Sequence, residues 1–218
     1  TKTAVATGAD LVAYSGFSTS NYLQQPYNSG LDFGTGDFSI NLWFNTPDSS
    51  VFGCLFHRSA TVNGAGTWNG SGPIIQFEFN QANLRSGVWQ DGFGGTNSII
   101  DLDDGNYGSN IWHMHTFVRS SGVLSVYHNG VFKASASGST ASSTVTNTSA
   151  STWIGNRPNV GNRPFNGDIA LLRMSATAPS AAQIAKIYND EKFLFQAGAQ
   201  ATLYGASDAV TALAYDDD

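Results

Sequence analysis

The dipeptide Asn129-Gly130 constrains this chain more than any other pair of residues. It separates the apolar run Val123-Leu124-Ser125-Val126-Tyr127-His128 from Val131-Phe132-Lys133. Asn and Gly both tolerate the positive φ that a two-residue type I′ hairpin needs at its two centres. Just upstream, Ser120-Ser121-Gly122 reads as a second tight turn. Before it, Trp112, Met114, Thr116 and Val118 alternate with His113, His115, Phe117 and Arg119 at period two. Residues 112–136 therefore read as three successive antiparallel strands. A meander of this kind has an apolar face that needs a second sheet over it.

Taken together, Trp112-His113, Val118-Arg119, then Ser121-Gly122, Leu124, Tyr127 and Asn129-Gly130 resemble the centre of a laminin-G-like, concanavalin A-like lectin-glucanase jelly roll. Further stretches agree in the same order. They are Leu31-Asp32-Phe33-Gly34-Thr35-Gly36-Asp37-Phe38-Ser39-Ile40 before Leu42-Trp43-Phe44, then Trp153-Ile154-Gly155-Asn156, then Phe165-Asn166-Gly167-Asp168-Ile169. The resemblance implies an all-β jelly-roll sandwich of two antiparallel sheets with one short C-terminal helix near residues 180–190. Ser180 after Pro179, with Gln183 three positions on, forms a capping box that opens such a helix, and Ile184, Ile187 and Tyr188 give it an apolar stripe. Residues 1–195 are assigned to this domain. Residues 196–218 read as a linker or the truncated start of another module. Within them, residues 210–216 read as a strand and resemble the opening of a β-propeller blade or a similar repeat of longer phage proteins.

Departures from the family pattern bear on its metal chemistry. Met114 stands where the family often has a second His, Asn129 where it has an Asp, and Asn41 where an acidic residue is common. Ala170 and Leu171 replace the usual Asp-Glu. Several acidic positions of a family calcium site are thus neutral here.

Charged residues make up only 12% of the 218, with 24 Gly and a net charge of −6. Such a surface suits neutral, hydroxyl-rich ligands. It argues against nucleic acid, whose binding depends on neutralising phosphates. No apolar run approaches the length of a membrane span. Cys54, the single cysteine, lies in an apolar strand and reads as a small buried hydrophobe.

Among catalytic readings, a retaining glycosidase needs two carboxyls flanking one bond. Glu78 and Glu191 are the only glutamates and lie far apart in sequence. A polysaccharide lyase would use His113, His115 and Arg119, which share a strand face, but Phe117 interrupts them. A calcium ion would find oxygens at Asp101, Asp103 and Asp104, though no distal Glu completes the loop. Sugar recognition needs aromatic platforms and planar donors. Trp68, Trp89, Tyr107, Asp91, Asn156, Arg157, Asn162 and Arg163 supply them from the Gly/Asn-rich loops at residues 61–73, 89–96, 101–110 and 156–164.

The expectation is therefore a non-enzymatic, lectin-like module that requires no cofactor. It would recognise cell-surface or marine polysaccharide glycans as part of a larger, phage-type viral protein, outside the cell or on a virion surface. The competing reading is a structural or oligomerising jelly roll without glycan affinity.

Overall fold

The computed structural model describes residues 1–60, 72–103, 107–158 and 161–200. In chain order the strands are β1 (Lys2–Ala4), β2 (Val12–Tyr14), β3 (Leu23–Gln25), β4 (Phe38–Asn45), β5 (Gly53–Ala60), β6 (Ile74–Asn80) and β7 (Asn83–Trp89). They continue with β8 (Asn97–Leu102), β9 (His113–Ser120), β10 (Val123–His128), β11 (Val131–Ala136), β12 (Ala150–Ile154) and β13 (Asp168–Ser175). Helices α1 (Ser139–Ser142) and α2 (Ala181–Glu191) complete the set. Among the described residues the strands form two antiparallel sheets. One runs β1-β2-β13-β4-β9-β10-β11 and the other β3-β12-β5-β6-β7-β8. The all-β jelly-roll sandwich with one closing helix is what forms.

The core lies between the sheets. Phe38, Ile40, Leu42 and Phe44 from β4 and Phe117, Leu124 and Val126 from β9 and β10 meet Leu55, Phe77, Phe79, Leu84 and Val88 of the facing sheet. Two-residue turns set the register of the meander. Ser120 pairs with Val123 and His128 with Val131, leaving Ser121 (φ 50°), Gly122 (77°), Asn129 (49°) and Gly130 (78°) as turn centres. Asn129 Oδ1 also accepts from the Met114 N–H at 2.8 Å, which locks the hairpin to β9.

The outer face of the seven-stranded sheet is covered by α2 and the turn after it. Ser180 and Gln183 form the capping box. Trp43 stacks on Phe195 at 4.4 Å and Tyr188 at 5.6 Å, and its Nε1–H donates to Glu191 at 2.8 Å. Burying a ring of this size contributes roughly 2–3 kcal/mol. Residues 137–152 contain α1 and the start of β12. The loop expected over residues 101–110 starts later, because Asp101 and Leu102 pair with β7. The Gly198 N–H donates to Thr7 O at 2.7 Å and Ala199 O accepts from the Asp10 N–H at 3.0 Å. Residues 201–218, with the expected strand at 210–216, lie outside the described residues.

Two histidines are fully buried as neutral rings. His115 Nε2 lies 2.7 Å from Ser86 Oγ inside the core. His57, on the outer face of the six-stranded sheet, bonds Gln76 and Ser59. Burial lowers both pKa values from 6.5 to about 3, assisted at His57 by the Arg157 charge. The unfolded chain therefore binds more protons than the folded one below pH 6.5. Stability should be intact above that value and fall between 6.5 and about 3. The two rings together add up to about 2.7 kcal/mol per pH unit, readable by urea unfolding at stepped pH. Independently, Gly130→Val should cost more than about 1 kcal/mol, because a Cβ there also meets Tyr188 at 3.0 Å and Ala185 at 3.1 Å on α2. An unchanged melting temperature would contradict this turn geometry.

Candidate functional site

The strands end at two poles, and the sequence treats them differently. One pole is fastened by two arginines. Arg119 is fully buried and donates to the carbonyls of Gly36 (2.8 Å), Ser143 (2.8 Å) and Gly34 (2.6 Å). Nearby, Asp32 accepts from Arg58, from the Asn147 N–H at 3.0 Å and from the Tyr27 hydroxyl at 2.9 Å. Burial would raise the Asp32 pKa, but these donors hold it below the usual carboxylate range.

The other pole carries the connection from β4 to β5 (residues 46–52), the β6–β7 turn, the β8–β9 connection and residues 155–167. It holds an open groove of about 410 Å³ lined by Pro47, Asp48, Ser49, Ser50, Ala82, Gly108 and Ser109. Thr46 anchors it, donating its hydroxyl to Asn166 O at 2.6 Å and accepting from the Asp48 N–H at 3.2 Å. Asp48 Oδ1 accepts from the Ser50 hydroxyl at 2.6 Å and the Ser50 N–H at 2.8 Å. Those two bonds lower the Asp48 pKa, so the exposed carboxylate is ionised at neutral pH. Among the described residues, four of the eight non-glycine residues with positive φ lie at this rim: Gln81 (53°), Ala82 (65°), Ser109 (80°) and Asn110 (56°). Left-handed backbone at non-glycine residues is strained, and such strain concentrates at functional sites.

On the same loop Phe52 is 39% exposed, and the Arg163 guanidinium stacks 3.9 Å from its ring. Arg163 is fixed from three sides. Its Nη1 donates to Glu78 Oε2 at 2.8 Å, its N–H donates to Asn156 Oδ1 at 2.9 Å, and its carbonyl accepts from the Cys54 N–H at 2.8 Å. Arg157 lies 3.7 Å from the same carboxylate oxygen and over Phe93 at 5.0 Å. Residues 155–158 and 161–167 thus fold over the outer face of the six-stranded sheet, and Arg157 meets the 90–96 loop there.

This geometry reassigns most of the residues selected from sequence. Trp89 is 3% exposed and sits edge-on to Phe93 at 5.2 Å. Tyr107 is 1% exposed and plugs the core against Phe44, Phe79, His113 and His128. Neither ring offers a face to a sugar. Asn156 and Arg157 are buried and knit the chain together. Asp91 is exposed at the far pole, while Asn162 and Arg163 stand at the groove pole. Trp68 lies outside the described residues, as does Asp104. Asp101 gives both carboxylate oxygens to Arg85, at 2.7 and 2.8 Å. Among the described residues no group of three or more His, Cys, Asp or Glu side chains is placed to hold a metal ion. Cys54 is buried, with its thiol pKa pushed up by burial. The turn-rich run Thr46-Pro47-Asp48-Ser49-Ser50 was a signal for the groove, whereas Gln81-Ala82 carried none, lacking Gly or Asn.

A laminin-G-type family model described as the concanavalin A-like lectin/glucanases superfamily matches residues 17–185. The chain belongs to this superfamily. No curated protein matches it in sequence. Solved concanavalin A-like folds resemble it at low identity. A heptameric SAP-like pentraxin from Limulus polyphemus has TM-score 0.57 and 14% identity over 81% of this chain and 80% of that one. The CBM40 of Ruminococcus gnavus IT-sialidase, solved with α2,3 sialyllactose, gives 0.59 and 12% over 76% and 98%. Domain 4 of AbnA, an extracellular GH43 arabinanase from Geobacillus stearothermophilus, solved with arabinotriose, gives 0.59 and 19% over 82% and 76%. These likenesses establish the fold.

Within this concanavalin A-like frame Glu78 is the deepest carboxylate at the groove pole, 3% exposed against two guanidiniums. Removing one partner of a buried ion pair costs roughly 3–5 kcal/mol. Glu78→Gln should therefore lose about 3 kcal/mol in chemical denaturation, whereas Asp48→Asn at the surface should leave the midpoint nearly unchanged. Equal effects would contradict the assignment of Glu78 as a scaffold residue.

Proposed function

We propose that this chain is a non-catalytic glycan-binding module whose ligand seats in the groove at the open pole. The supporting observation is the concentration of left-handed, non-glycine backbone around a cleft lined by an ionised carboxylate and serine hydroxyls. Asp48, Ser50 and Ser109 offer the acceptors and donors that pair with vicinal hydroxyls. Phe52, backed by Arg163, offers the apolar face on which the C–H patch of a pyranose rests. Both glutamates are committed to structural partners, Glu78 to Arg163 and Arg157, and Glu191 to Trp43 and Arg173. Neither is left to act as a general acid or base.

The reading extends to setting. A module of this kind meets polysaccharide or cell-surface glycans from outside the cell or from a virion, as part of a larger protein. It uses no obligatory metal.

A glycan array probed with calcium and with a chelator tests this directly. Wild-type protein should retain a defined set of glycans in both conditions. Phe52→Ala and Asp48→Asn should each weaken that signal about tenfold or more, equivalent to about 1.4 kcal/mol, without shifting the melting temperature. Trp89→Ala, by contrast, should lower stability by about 3 kcal/mol or more. An array without any retained glycan, in a protein that self-associates through these loops, would favour the structural reading instead.

A further inference from the structure

A cavity of about 210 Å³ lies between α2 and the outer face of the seven-stranded sheet, away from the groove. Beneath α2 that face is otherwise apolar, carrying Trp43, Met114 and Val118. At the cavity floor it changes character. Ser39 and Asn41 on β4 are each 8% exposed, and Thr116 on β9, the register partner of Asn41, is 2% exposed. Ile184 and Ile187 of α2 form the apolar wall.

The Asn41 amide is half satisfied. Its Nδ2 donates to Thr116 Oγ1 at 2.6 Å, while Oδ1 receives no hydrogen bond. Exchanging the two amide atoms does not help, because one hydroxyl still serves one of them. A buried amide atom left this way is costly unless something in the cavity reaches it. A hydroxyl can donate or accept, so it suits either orientation. Arg173, the charged side chain in the lining, is paired with Glu191 at 2.6 Å, so the site does not call for an anion. The space is large enough for a short chain rather than a single water molecule.

From this we infer a second small-molecule site that takes a short aliphatic alcohol, its hydroxyl on Asn41 and its chain against Ile184 and Ile187. The site is independent of glycan binding. Titration of ¹⁵N-labelled protein with n-pentanol, and separately with glycerol, tests it. n-Pentanol should shift the amides of Asn41, Thr116, Ile184 and Ile187 saturably in the millimolar range and leave Asp48 and Ser50 unmoved. Glycerol, which lacks the apolar chain, should bind about tenfold more weakly. Asn41→Leu should abolish the n-pentanol response. If that variant does not fold, Ile187→Phe, which fills the cavity from the helix, should do the same. Absence of any saturable shift in the wild type would overturn the site and leave a hydrated cavity only. A response unchanged in the folded variant would equally overturn it.

Discussion

The Arg119 guanidinium holds this sandwich in register. It leaves β9 at the fastened pole, is fully buried, and bonds three backbone carbonyls from two separate segments, residues 34–36 and residue 143. A buried charge is tolerable only when its donors are used, and here they also satisfy carbonyls of turns that have no ladder partner. Arg58 and Asp32 repeat the device a few residues away. Two arginines fasten one pole, and the groove lies at the other.

A second buried charge cluster decides which surface stays open. Glu78 draws Arg163 and Arg157 inward, and with them residues 155–158 and 161–167, so this part of the outer face of the six-stranded sheet is covered rather than presented. The two Gly-Asn-Arg-Pro segments read from sequence as ligand donors instead fasten a loop. Phe52, with Arg163 on its ring, stays exposed two residues after Ser50 of the groove.

Much of the fold was legible because the residues that carry a family resemblance carry backbone duties. Asp32 accepts from Asn147 and Arg58, Arg119 fastens the turns, Asn129 and Gly130 supply positive φ, and Ser180 with Gln183 starts the helix. Each has a local chemical signature. The site was less legible for the same reason. Trp89 and Tyr107 look like exposed platforms in Gly-rich contexts, yet they are drawn into tertiary packing that period and composition do not register. The Gln81-Ala82 turn, which lines the groove, adopts left-handed backbone without Gly or Asn. Long-range contacts hold it there, including the Ala82 N–H to Ser49 O bond at 3.1 Å.

The central claim is that ligand binds at the open pole and not on the covered sheet face. Chemical-shift mapping of the labelled protein with a glycan that it retains distinguishes the two in one experiment. The perturbed amides should be those of Asp48, Ser50, Phe52 and Ser109, with Trp89, Phe93 and Gln76 unmoved. A footprint centred on Trp89 and Phe93, with the groove silent, would contradict the account.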